Sequence, residues 1–162
     1  MKKLIIINGT MGVGKSTVSK ELSQRLQNSV WLDGDWCWMM NPWNFSDENK
    51  SMVIDNICYI LSNFLKNSSF EYVIFCWVLH LESITDLILE RLKSVEFQTF
   101  KITLTCAKEE LVDRIIKRDG IKSGNVEKSI DRLSLYESMN TIKIDTSDLK
   151  VEEIVANIIK IL

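Results

Sequence analysis

Residues 4–17 read Leu4-Ile5-Ile6-Ile7-Asn8-Gly9-Thr10-Met11-Gly12-Val13-Gly14-Lys15-Ser16-Thr17. An apolar run of strand character gives way to G-x-x-x-x-G-K-[ST], and a helical pattern follows it. Glycines let the backbone curl so that successive N–H groups face phosphate oxygens, and the helix adds its positive end. Lys15 is expected to reach the β- and γ-phosphates, and Ser16 to offer its hydroxyl to the Mg²⁺ that bridges them. Gly9, Thr10, Met11, Gly12, Val13, Gly14, Lys15, Ser16 and Thr17 are therefore the candidate nucleotide-binding residues, with Lys15 also catalytic.

Outward from this cradle, short runs rich in β-branched residues alternate with stretches of helical period, the pattern of βαβ units around a parallel sheet. The strands predicted are Leu4 to Asn8, Val30 to Asp33, Tyr72 to Val78, Phe100 to Thr105 and Thr141 to Asp145. Between them Ile54, Ile57, Cys58, Leu61 and Leu65 keep helical spacing, as do Ile84, Leu87, Ile88 and Leu92, then Leu111, Ile115 and Ile116. Ile154, Val155, Ile158, Ile159 and Leu162 mark a last helix. At 162 residues, 46% hydrophobic and 26% charged, the chain suits one folded α/β domain.

Twenty basic against 22 acidic residues leave a net charge of −2, so a nucleic-acid polymer is not an expected partner. Cys37, Cys58, Cys76 and Cys106 form no C-x-x-C pair, which fits free thiols in a reducing cytoplasm. No apolar run approaches the roughly 20 residues of a membrane helix, so no membrane association is expected. The sequence is silent on oligomeric state.

A nucleotide cradle alone leaves the reaction open. An N-K-x-D base-reading motif is missing, since Asn49-Lys50 runs on to Ser51-Met52, which argues against a GTPase. Asp33-Gly34-Asp35 ends strand two and brings two carboxylates to the edge where ligands of open α/β sheets bind. Asp33 is assigned to the metal through water, and Asp35 to the acceptor as general base. Trp36, Trp38, Trp43 and Phe45 follow, and flat half-polar rings suit a heterocycle or ring sugar. From Asp33 through Glu90 there is no arginine, which argues for an acceptor of little charge. Asp33, Asp35, Trp36, Trp38 and Trp43 are thus the candidate acceptor-binding residues. Arg114 is placed to stack on the base, and Arg118 with Arg132 to neutralise the transferring phosphoryl group. His80 and Trp77 read as structural, Trp77 as core or pocket wall, and no acid ends strand three, where Glu82 is a weak substitute.

These residues resemble the P-loop small-molecule and nucleotide kinases, a group with adenylate, shikimate, gluconate and adenylylsulfate kinases. Leu32-Asp33-Gly34-Asp35 is similar to the Asp-Gly-Asp of the gluconate and adenylylsulfate enzymes. Glu110 to Arg118 resembles the opening of the adenylate kinase lid, which implies Arg114 on adenine and Arg118 on phosphates. Arg132-Leu133-Ser134-Leu135-Tyr136 resembles the lid's closing segment, which implies a catalytic Arg132. Ile144-Asp145-Thr146-Ser147 resembles the last strand, with Asp145 and Thr146 bordering adenine. The spacing from Val78 through Arg132 is also similar to the tunicamycin-resistance proteins. The resemblance implies a three-layer P-loop NTP hydrolase fold over residues 1–162. Its five-stranded parallel sheet would run in order 2-3-1-4-5, with helices on both faces, a short lid near 119–126 and an acceptor-covering segment near 34–70. The function expected is an ATP- and Mg²⁺-dependent kinase acting on a small ring acceptor. A nucleoside monophosphate kinase and a nucleotide-binding sensor are the alternatives.

Overall fold

Leu4 and Ile6 pack on one face of the first strand, β1 (Lys2–Asn8), while Ile5 and Ile7 pack on the other, so its continuous apolar run marks a strand buried on both sides. The computed structural model describes residues 1–120 and 125–162. The chain continues through α1 (Lys15–Arg25), β2 (Ser29–Asp33), a 3-10 turn (Gly34–Trp38), α2 (Asp47–Lys66), β3 (Tyr72–Cys76), α3 (Glu82–Leu92) and β4 (Phe97–Thr105). Then come α4 (Lys108–Asp119), α5 (Asn125–Asp131), α6 (Leu133–Glu137), β5 (Ile142–Asp145) and α7 (Val151–Ile161).

The five strands are all parallel, in the order β2-β3-β1-β4-β5. On one face Val18 and Leu22 of α1, Leu111 and Ile115 of α4, and Ile154, Val155 and Ile158 of α7 cover Ile5 and Ile7. On the other face Val53, Ile57, Leu61 and Leu65 of α2, with Ile88 and Leu92 of α3, cover Leu4 and Ile6. Three layers result, with the sheet in the middle. No helix among the described residues is long and apolar enough to cross a membrane.

The strand limits differ from expectation at several ends. β1 and β4 start earlier, because Lys2 pairs with Phe97 and Lys3 with Gln98 through backbone bonds that polar side chains do not report. β3 stops at Cys76 instead of running on to Val78, and the buried Leu79 turns the chain away with φ 39. Parallel order sets Asn8, Asp33, Cys76, Thr105 and Asp145 along one edge. There β1 lies between β3 and β4, where the strand order changes direction and open α/β sheets bind ligands.

Candidate functional site

Gly14 stands at the N-terminus of α1 with φ 106, a left-handed conformation that suits glycine, and nothing would obstruct a Cβ there. It gives α1 no side-chain cap, and no acid sits in the first turn, so the first N–H groups are left to an anion. Behind it Val13 is buried in the core, while Thr10 is buried and its Oγ1 donates to the Ser129 carbonyl of α5 at 2.8 Å. Lys15 Nζ folds back to donate to the Thr10 carbonyl at 3.0 Å. Burial pushes its ammonium below the usual lysine value, against the pull of Cys76, Asp35 and Asp33 nearby, while Arg118 adds to the lowering. Met11 and Gly12 are half-buried, and Thr17 faces solvent.

The two aspartates take different surroundings. Asp33 is buried, and its Oδ2 accepts from Ser16 Oγ at 2.6 Å while its Oδ1 accepts from the Asp35 N–H at 3.0 Å. That second bond caps the 3-10 turn and pins the backbone of Asp35. Asp35 is exposed at the residue level, yet burial of its carboxyl, then Asp33, raises it above the usual carboxylate range, against Lys15 and the indole of Trp77. Ser16 and Asp33 offer adjacent hard oxygens of the kind Mg²⁺ takes. Among the described residues no group of three or more His, Cys, Asp or Glu side chains could hold a metal, so a magnesium here would draw most ligands from phosphates and water. Glu82 is spent elsewhere, its Oε1 accepting from the Asn140 N–H at 2.9 Å.

The aromatics divide. Trp36 is 52% exposed and leans on Trp31 at 4.9 Å between centroids; Trp43 and Phe45, each 61% exposed, stack at 6.5 Å. Trp38 departs from expectation: at 6% exposure it is a core residue, 5.0 Å beneath Trp43 and 5.2 Å beneath Phe45. The 3-10 turn directs it inward against α2, so it supports the exposed rings and does not present a face itself. Trp77, read from sequence as core or pocket wall, reaches the site: its Nε1 donates to Asp35 Oδ1 at 3.0 Å. The available signal was its place one residue past Cys76, the register partner of Asp33.

Arg114 bridges three elements. Its Nε donates to Glu110 Oε1 at 2.8 Å, its Nη1 to Thr146 Oγ1 at 2.9 Å and the Val13 carbonyl at 3.3 Å, and its Nη2 to the Thr146 carbonyl at 2.7 Å. The guanidinium therefore straps α4 to the cradle and to the turn after β5. Asp145 turns onto that same turn, accepting from Ser147 N at 2.9 Å and Ser147 Oγ at 2.6 Å, which holds its carboxyl low. Arg118 forks onto Asp119 at 2.6 Å through Nε and Nη2. Arg132 lies between α5 and α6, where its charge adds to burial in lowering His80. Half of the expected lid near 119–126, residues 121–124, lies outside the described residues.

A family model described as the AAA domain matches residues 5–132, which span the cradle, Asp33, Asp35, Arg114, Arg118 and Arg132. A search of curated protein sequences gave no match. Among solved structures, the tunicamycin resistance protein of Deinococcus radiodurans is similar at 22% identity and TM-score 0.73, over 99% of this chain and 95% of its own. A gluconokinase from Sinorhizobium meliloti 1021 is similar at 18% identity and TM-score 0.68, over 95% and 87%. Shikimate kinase from Acinetobacter baumannii, solved in complex with shikimate, is similar at 18% identity and TM-score 0.67, over 99% and 92%. The chain belongs to the AAA domain family, in the P-loop fold that it shares with these three proteins.

Proposed function

We propose that the protein is a kinase that transfers the γ-phosphoryl group of ATP to a hydroxyl of a small ring acceptor of little charge. The observation that carries this reading is the pairing of Asp33 with Ser16 at 2.6 Å while Asp35, two residues on, stands within the field of Lys15. One carboxylate is committed to the metal side, through water, and the other is left for an acceptor. Magnesium, when bound by Ser16 and Asp33, supplies charge neutralisation between the β- and γ-phosphates. Asp35 takes the proton of the acceptor hydroxyl as its oxygen forms the bond to the γ-phosphorus, and ADP leaves as that phosphorus parts from the bridging oxygen. Lys15, Arg118 and Arg132 meet the charge that develops on the transferring group. Arg114, Asp145 and Thr146 border the base, and Trp36 and Trp43 face the acceptor over the segment near 34–70.

The single domain over residues 1–162 is part of the same proposal, as is the lid near 119–126. A nucleoside monophosphate kinase is less well supported, since Arg91, at the near end of the arginine-free stretch, is paired to Asp55 across α2 and α3. A sensor that binds nucleotide without efficient transfer is the second reading, favoured by the thiol of Cys76 where an acid would end β3. ADP release measured over a panel of nucleosides, nucleotides, sugars and antibiotics separates them. A neutral ring compound raising release well above the no-acceptor background supports the kinase. A monophosphate as best acceptor, or no acceptor at all with ATP bound, overturns it.

A further inference from the structure

Gly34 raises a question that its backbone does not answer, because it adopts no left-handed φ. What requires glycine is a neighbour. A Cβ there would stand 2.4 Å from Cγ, 2.7 Å from Cδ2 and 2.8 Å from Cδ1 of Trp77, inside any permitted contact. The indole lies flat against the chain between the two aspartates. Pressed there, it aims Nε1 at Asp35 Oδ1, 3.0 Å away. The other end of Trp77 is also fixed, since its backbone N–H donates to the Ile7 carbonyl at 3.2 Å, two residues before the cradle begins.

We infer that Trp77 is a positioning residue for Asp35, holding one carboxylate oxygen so that the other faces an acceptor beside the cradle. The inference rests on the reading of Asp35 as the base of a transfer reaction. An indole N–H is a donor only and an ionised carboxylate an acceptor only, so the contact has one possible polarity. The Asp33 carboxylate already fixes the Asp35 backbone through its N–H. With the backbone held by Asp33 and Oδ1 held by Trp77, the side chain has little rotational freedom, and Oδ2 is the atom left to meet a hydroxyl. Trp77 thereby transmits the position of β1, and of the cradle after it, to the acceptor carboxylate. Reacting groups that must meet within a few tenths of an ångström gain much from such fixing. Gly34 is then the residue that makes room for the device.

Two measurements test this. The indole N–H resonance of Trp77, assigned by its loss in Trp77→Phe, should shift in Asp35→Ala and stay in place in Trp43→Phe. With the best acceptor of the panel, Trp77→Phe, which keeps a ring in place but removes the donor, should lower kcat about ten-fold or more. Its KM for ATP should stay within two-fold. Gly34→Ala, which displaces the indole, should reproduce the kcat loss and shift the same resonance. An unmoved Trp77 resonance in Asp35→Ala, or wild-type kcat in Trp77→Phe, overturns the inference. Failure of the kinase reading looks different: no acceptor gives turnover, and the resonance alone then decides whether Trp77 holds Asp35.

Discussion

Lys15 is a cation held below its ordinary pKa by burial and flanked by Asp33 and Asp35, so its positive charge is already partly answered by the protein itself. On the proposed function a triphosphate would have to compete for that ammonium with the Thr10 carbonyl at 3.0 Å. Lys15→Ala should therefore abolish ATP–Mg²⁺ binding by calorimetry, and retained affinity would place the nucleotide elsewhere. Asp35→Asn should lower turnover by about 10²–10⁴, the usual span for a general base, with ATP affinity within a few fold. Equal turnover would remove Asp35 from the chemistry. Asp33 and Asp35 were readable because both lie within three residues in sequence. The bond from Trp77 to Asp35 was not, because it spans 42 residues and depends on strand register. Trp38 was misjudged for the complementary reason: a tryptophan in an aromatic run looks the same in sequence whether the local turn points it out or in.

The element that separates these two cases is the 3-10 turn Gly34–Trp38 with the chain leading into α2. Across its five residues Gly34 and Trp38 are buried while Asp35 and Trp36 are exposed, so neighbouring tryptophans carry different duties. Trp38, at 6% exposure under Trp43 and Phe45, is a packing residue. Trp38→Ala should cost about 3–5 kcal/mol of stability, as large buried aromatics do, and lower the unfolding midpoint in thermal melts. Trp43→Ala should leave that midpoint nearly unchanged, since its ring is 61% exposed, and should raise the acceptor KM several-fold. If Trp38→Ala melts like wild type, the core assignment fails; if Trp43→Ala leaves the acceptor KM unchanged, the ring-stacking acceptor fails with it. At this scale the strands were legible from their β-branched runs, but not their ends, because backbone pairing at Lys2, Gln98 and Thr99 leaves no trace in side-chain character.

At the scale of the whole molecule, sheet order is what carries the cradle, the aspartates and the arginines to one edge. The alternation of strands and helices announced a parallel sheet, while the order β2-β3-β1-β4-β5 rested on likeness to P-loop kinases, since periodicity alone does not rank strands. Both apolar layers share that sheet: Leu4 and Ile6 serve one and Ile5 and Ile7 the other, within four consecutive residues of β1. Neither layer can open without uncovering the strand that leads into Gly9. The chain should therefore unfold in a single transition, and a ligand seated at the cradle should stabilise all of it. Binding to the folded state alone contributes about 2.7 kcal/mol when ligand stands at a hundred times its Kd. For a domain of this size each kcal/mol moves the midpoint by about 2–4 °C, so saturating ATP–Mg²⁺ should raise Tm by roughly 5–11 °C. Lys15→Ala should erase that rise while keeping the unliganded midpoint close to wild type, because its side chain contributes to the cradle and not to either apolar layer. A two-step melt, with only one step moved by nucleotide, would show that the two layers are energetically separate and that the cradle reports on one of them alone.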